Sequence, residues 1–174
     1  MAVRLIYTYR IAFLFPYRFG DSVAKLGISG RQWLIGGKIT YPGSSAEGLL
    51  MNVRMVNCTF EDRNRTDFDP DANTKTFLSR IPEYGEHGIR AFTLCLQGGM
   101  PGYEGALNSA YAEDGSLRPE YIHRVERVIR ESDKAGIVII LSCFYQRQDQ
   151  VLTDPAALKN AVTNTVNWVG DCGF

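Results

Sequence analysis

Between residues 47 and 168 the chain runs three times through one pattern: an apolar stretch, a polar loop rich in Gly, Asn, Gln and Tyr, and an amphipathic helix. The apolar stretches are residues 49–57, 89–96 and 137–143, and the second and third directly follow the helix stops Glu86-His87-Gly88 and Lys134-Ala135-Gly136. Short apolar runs alternating with helical periodicity predict βα units in a parallel sheet. Ligands of such sheets sit where strands end and loops begin. The loops to read for chemistry are therefore residues 59–70, 97–118 and 145–153.

Start and stop signals place the helices. A first is expected from about Asn73, with Phe77, Leu78 and Ile81 inward and a kink or split at Pro82, which has no backbone donor. A second opens at Pro119 and carries Ile122, Val125 and Ile129 on one side. Its Arg124, Arg127 and Glu131 read as a solvated face, with Glu120/Arg124 and Glu126/Arg130 at ion-pair spacing. The third has Asp154 as N-cap and Pro155 in the first helical position, with Leu158, Val162, Thr165 and Val169 approximating one face. Upstream, Gly36-Gly37 between residues 31–35 and 38–41 predicts a tight β-hairpin, and Pro42-Gly43-Ser44-Ser45 breaks the chain after it.

Residues 1–25 read as a leader of uncertain structure, separate from a domain over residues 26–174. Arg4, Arg10 and Arg18 interrupt its apolar character, and the run 11–17 is too short to span a bilayer, so no membrane partner is expected. A signal peptide also needs a small-residue cleavage site, and none is convincing before Asp21, which favours a cytoplasmic chain over an exported one.

Composition narrows the function classes. With 174 residues, 45% apolar and 22% charged, the chain has the make-up of an ordinary globular domain. Nineteen basic residues balance nineteen acidic ones, so no global field recruits nucleic acid, and a neutral ligand fits best. Cys58, Cys95, Cys143 and Cys172 form no CxxC pair, and three of them sit in or at the ends of predicted strands, where a thiol acts as a small hydrophobe. His87 and His123 are the only histidines and neither ends a strand. Phosphate-binding fingerprints and the Gly-x-Ser-x-Gly elbow are missing, and no metal or other cofactor is expected.

What remains is a concentration of amides, guanidinium groups and aromatics at the strand ends. Arg54 and Asn57 belong to the first, Gln97, Tyr103 and Glu104 to the second, and Tyr145, Gln146, Arg147, Gln148 and Asp149 to the third. Amides satisfy hydroxyl donors and acceptors while aromatic faces cover the apolar side of a sugar ring, so a carbohydrate is the natural ligand. The alternative is that Arg54 and Gln146 satisfy one another or loop backbone.

Four segments then carry a resemblance: Leu49-Leu50-Met51-Asn52-Val53-Arg54-Met55-Val56-Asn57; Phe92-Thr93-Leu94-Cys95-Leu96-Gln97-Gly98-Gly99-Met100-Pro101-Gly102-Tyr103-Glu104-Gly105; Asp114-Gly115-Ser116-Leu117-Arg118-Pro119-Glu120-Tyr121; and Cys143-Phe144-Tyr145-Gln146-Arg147-Gln148-Asp149-Gln150. From about Arg31 onward the chain resembles the N-terminal half of bacterial cellulase-like glycoside hydrolases. The resemblance implies a partial (β/α)8 TIM barrel, about three βα units preceded by an N-terminal β-hairpin, acting on or binding a carbohydrate. It also implies an acid/base after strand four and a nucleophile ending strand seven, both beyond residue 174. Where family members usually end strand two with Arg and strand three with His, Thr93 and Phe144 or Tyr145 stand here. Retaining hydrolysis needs two carboxyl groups about 5–5.5 Å apart, and Glu104 and Asp149 are the strand-end acids this chain offers. The other readings are a non-catalytic carbohydrate-binding α/β domain and an open, flavodoxin-like α/β domain of unrelated function. Three parallel strands would leave open edges, through which self-association is expected.

Overall fold

The chain is α/β. In chain order its elements are β1 (Val3–Tyr7), β2 (Arg10–Leu14), β3 (Leu26–Ser29), β4 (Gln32–Ile35), β5 (Lys38–Ile39), β6 (Asn52–Arg54), α1 (Pro70–Glu86), β7 (Ala91–Cys95), α2 (Pro119–Lys134), β8 (Val138–Ser142) and α3 (Pro155–Asp171). The computed structural model describes residues 3–7, 10–14, 22–55, 57–98, 106–145 and 151–171. The three expected apolar stretches form β6, β7 and β8, which pair in parallel and lie side by side in chain order.

Alternation along these strands separates two faces. Val53, Phe92, Leu94, Leu96, Ile139 and Leu141 point into the main core, where they meet Phe77 and Ile81 of α1 and Val125, Val128 and Ile129 of α2. Each large apolar side chain fully buried there contributes about 1.5–3 kcal/mol relative to exposure. Register puts Asn52, Arg54, Ala91, Thr93, Cys95, Val138, Ile140 and Ser142 on the opposite face. At the N-terminal end of that face Ala91, Val138 and Ile140 pack with Ala24, Leu26, Ile35 and Leu50. These come from a small antiparallel sheet ordered β3-β4-β5 and its flanks.

The hairpin forms at Gly36 and Gly37, whose φ values of 58° and 78° are those of a type I′ turn. It is larger than the sequence suggests, because β3 pairs with β4 along Leu26↔Ile35 to Ser29↔Gln32. The leader also has a place in the fold. β1 and β2 make a hairpin, and β2 pairs antiparallel with β8 through Ala12↔Ser142 and Phe13↔Leu141. A sheet edge presents unpaired N–H and C=O groups, and β2 supplies their partners. Just ahead of β3, Ser22 Oγ and Ala24 N both donate to Asp133 Oδ1, at 2.7 and 3.0 Å.

Two helices differ from expectation. α1 begins at Pro70 rather than Asn73, since Asp69 Oδ1 accepts from the N–H groups of Asp71 (2.9 Å) and Ala72 (3.0 Å). Such a cap stabilises a helix by about 1 kcal/mol. The helix continues past Pro82 to Glu86, held by the fully buried Ile81 beside it. The first strand is three residues long, not nine, because the chain turns after Met55, whose carbonyl accepts from Cys58 N at 3.1 Å. In α3 the buried face is Ala157, Ala161, Thr165 and Val169, while Leu158 and Val162 are only half-buried.

The reason for that small-residue face is the turn before α2. Gly115 has φ +82°, and a Cβ there would stand 2.2 Å from Ala157 O and 2.7 Å from Ala161 N. Asn160 and Asn164 donate to the carbonyls of Asp114 (3.3 Å) and Gly115 (3.0 Å). Gly115→Ala is expected to destabilise by about 2 kcal/mol or more, combining backbone strain with overpacking. Gly30→Ala has positive φ but open space around its Cβ and should cost only about 1–2 kcal/mol. Urea unfolding of the two variants checks the difference, and equal midpoints would contradict the docking of this turn on α3.

Candidate functional site

The polar end of the open face is built from β6, β7 and the chain just after β8. Arg54 reaches across the sheet, and its Nη1 donates to Tyr145 Oη at 3.0 Å, with the guanidinium carbon 5.9 Å from the Tyr145 ring centre. Between them, Thr93 Oγ1 donates to Asn52 Oδ1 at 3.2 Å. Tyr145 is anchored by its own backbone, whose N–H donates to Gln97 O at 2.9 Å. Asn52 and Arg54 are exposed and Tyr145 is half-buried. The result is a shallow polar floor of amide, hydroxyl, guanidinium and phenol.

Other residues singled out from the sequence fall elsewhere. Asn57 is exposed, and its carbonyl accepts from Asn73 Nδ2 at 2.7 Å, tying the loop after β6 to α1. Gln97 is 0% exposed and its Oε1 accepts from Ser109 Oγ at 2.8 Å, in an antiparallel bridge that returns the long second loop to the strand end. Tyr103, Glu104, Gln146, Arg147, Gln148 and Asp149 lie outside the described residues.

A second cluster was missed in the sequence. Glu61, 6% exposed, accepts from Arg124 Nη2 at 2.6 Å and from Arg118 Nη1 and Nη2. Arg124 is 2% exposed, so it does not belong to the solvated face, and Glu120 pairs with Arg118 at 2.6 Å rather than with Arg124. The signal was its spacing: Tyr121, Arg124, Val125, Val128 and Ser132 share the i, i+3, i+4 stripe that turns inward. Asp62, also buried, accepts from the N–H groups of Asn64 (3.1 Å) and Leu107 (3.0 Å). Both carboxylates thus hold loops.

The cysteines behave as apolar groups. Cys58, Cys95 and Cys143 are buried and reduced. Burial pushes the Cys58 thiol up to about 12 and raises that of Cys143. An open groove of about 560 Å³ lies at the other end of the sheet, between the last turns of α1 and α2. Its cations are already engaged, Arg90 with Gly85 O at 2.7 Å and Lys134 with Glu131 at 2.6 Å. Among the described residues no helix is long and apolar enough to cross a membrane. Comparison with protein-family models gives no match, and comparison with curated proteins gives none either.

Removing one partner of a buried charge cluster leaves the rest uncompensated, so Glu61→Gln should lower stability by about 3–5 kcal/mol. Glu120→Gln, at an exposed pair, should cost under about 1 kcal/mol. Chemical denaturation distinguishes them, and a mild Glu61 variant would contradict the clamp. For Cys58, the folded pKa lies above the thiol's ordinary value of 9.0. The folded state therefore holds its proton longer than the unfolded chain, and this contribution to stability is complete below about pH 9 and lost as pH rises toward 12. Thiol alkylation at pH 8 should be slow in the native protein and fast in urea; rapid native labelling of Cys58 would contradict its burial.

Proposed function

We propose that the chain is the N-terminal part of a glycosidase-like (β/α)8 barrel whose strand-end face takes a carbohydrate. The observation that carries this reading is the order β6-β7-β8, with crossover helices α1 and α2 packed in one core layer and polar side chains on the opposite face. A flavodoxin-like sheet would place its first strand between the other two. A dinucleotide-binding sheet can run three strands in order, but its Gly-rich fingerprint has no counterpart here. An open parallel sheet would also cover both faces with apolar side chains, whereas Asn52, Arg54 and Thr93 suit the inner wall of a barrel. The mixture of amide, hydroxyl and phenol is the chemistry that hydroxyl-rich ligands require.

In this reading the described strands form substrate wall, hydrolysis depends on carboxylates other than Glu61 and Asp62, and a fourth parallel strand would take the edge of β8 that β2 holds here. Glu61 and Asp62 are occupied by arginines and backbone donors, so neither is free to protonate or attack a glycoside. The chain is expected to show no turnover of aryl β-glucoside, mannoside or xyloside. Turnover abolished by Glu104→Gln or Asp149→Asn would refute that and make the loop acids catalytic.

Binding is tested by NMR titration with a panel of oligosaccharides. Arg54→Ala and Tyr145→Ala should each weaken binding about tenfold or more, equivalent to about 1.4 kcal/mol. Arg127→Ala, at the α2 surface where Arg127 meets Asp71, should leave it unchanged. The opposite pattern would move the ligand away from the strand ends.

A further inference from the structure

We infer that the sugar bound at the strand ends carries an acidic group, a carboxylate or a sulfate ester, received by Arg54; this rests on the carbohydrate reading above. Overall neutrality is an average over the chain and does not describe this face. Among the described strand residues that share it, Asn52, Arg54, Ala91, Thr93, Cys95, Val138, Ile140 and Ser142, the one charged side chain is Arg54. Its ion-pair partner is not supplied by the described residues. Of the described carboxylates in the loop after β6, Glu61 is committed to Arg118 and Arg124 and Asp62 accepts from two backbone N–H groups.

Geometry prepares this guanidinium for an anion. One N–H is given to Tyr145 Oη at 3.0 Å, and the guanidinium carbon lies 5.9 Å from the centre of the Tyr145 ring. The remaining N–H groups stay at an exposed position. A guanidinium oriented in this way offers two parallel donors to a planar or tetrahedral oxyanion, a geometry that lysine cannot reproduce. A neutral sugar would be served as well by an amide, such as Asn52 already provides. The neighbouring Thr93 hydroxyl and Asn52 amide remain suited to the ring hydroxyls.

The experiment is calorimetric titration of the whole chain with digalacturonate, its methyl ester, neutral galactobiose and a sulfated disaccharide. Digalacturonate or the sulfated sugar is expected to bind at least tenfold more tightly than the ester and galactobiose, with the advantage shrinking as salt is raised. Whichever of the two acids is preferred identifies the group. Arg54→Gln should erase the preference for the acidic sugar over its ester and galactobiose, and Arg54→Lys should restore only part of it; thermal melting confirms that both variants fold. Equal binding of acid, ester and neutral sugar would overturn the acidic-ligand inference and leave the carbohydrate reading standing. No binding by any of the four sugars would overturn both.

Discussion

A carboxylate buried to the extent of Glu61 has to be met by opposite charge, because desolvating a single ion costs several kcal/mol. Here the charge comes from two directions, Arg118 at the end of the long second loop and Arg124 one turn into α2. The same loop is fastened alongside. Glu61 N donates to Asn108 Oδ1 at 3.2 Å, Asn108 Nδ2 donates to Gly98 O at 3.0 Å, and Arg118 Nη1 also donates to Ser109 O at 2.6 Å. Through these contacts the chain after β6, the chain after β7 and the start of α2 are held as one unit. That unit fixes where β6 and β7 end, and so where Arg54 and Thr93 stand.

The sheet face opposite the helices is divided by the same logic of solvation. Ala91, Val138 and Ile140 on it are apolar, and the small sheet β3-β4-β5 covers them with Leu26 and Ile35. On β6 the same face carries Asn52, in register with Ala91, and Arg54, in register with Thr93; both are exposed, and their polar groups can be left facing water or a polar ligand. Burying them against a helix would require a partner for each. The edges are treated unequally as well: β2 pairs with β8, while β6 ends the five-stranded sheet on the other side.

Much of the frame was legible from local signals. The βα period, the Gly36-Gly37 turn, the Pro119 and Pro155 helix starts and the Asp154 cap are read from residues within a few positions of one another, and their physics is equally local. Arg54 and Tyr145 stood out by residue type at strand ends, and the structure joins them across 91 positions of chain. Gln97 stood out for the same reason but lies buried against Ser109, because the sequence does not tell an amide that faces a ligand from one that closes a loop.

What the sequence by itself determined is therefore the order of the three parallel strands and their helices, the identity of the apolar layer and the residue types available at the strand ends, since backbone propensity and hydrophobic period act over a few residues. What only the tertiary structure decided is the partner of each long-range polar group. Arg124 turned inward because Glu61 waits 63 positions earlier, α3 buries alanines because Gly115 presses on it, and β2 pairs with the edge of β8. Each of these outcomes is set by the cost of leaving a buried charge, a close contact or a backbone hydrogen bond unsatisfied, and that cost arises only when distant segments meet.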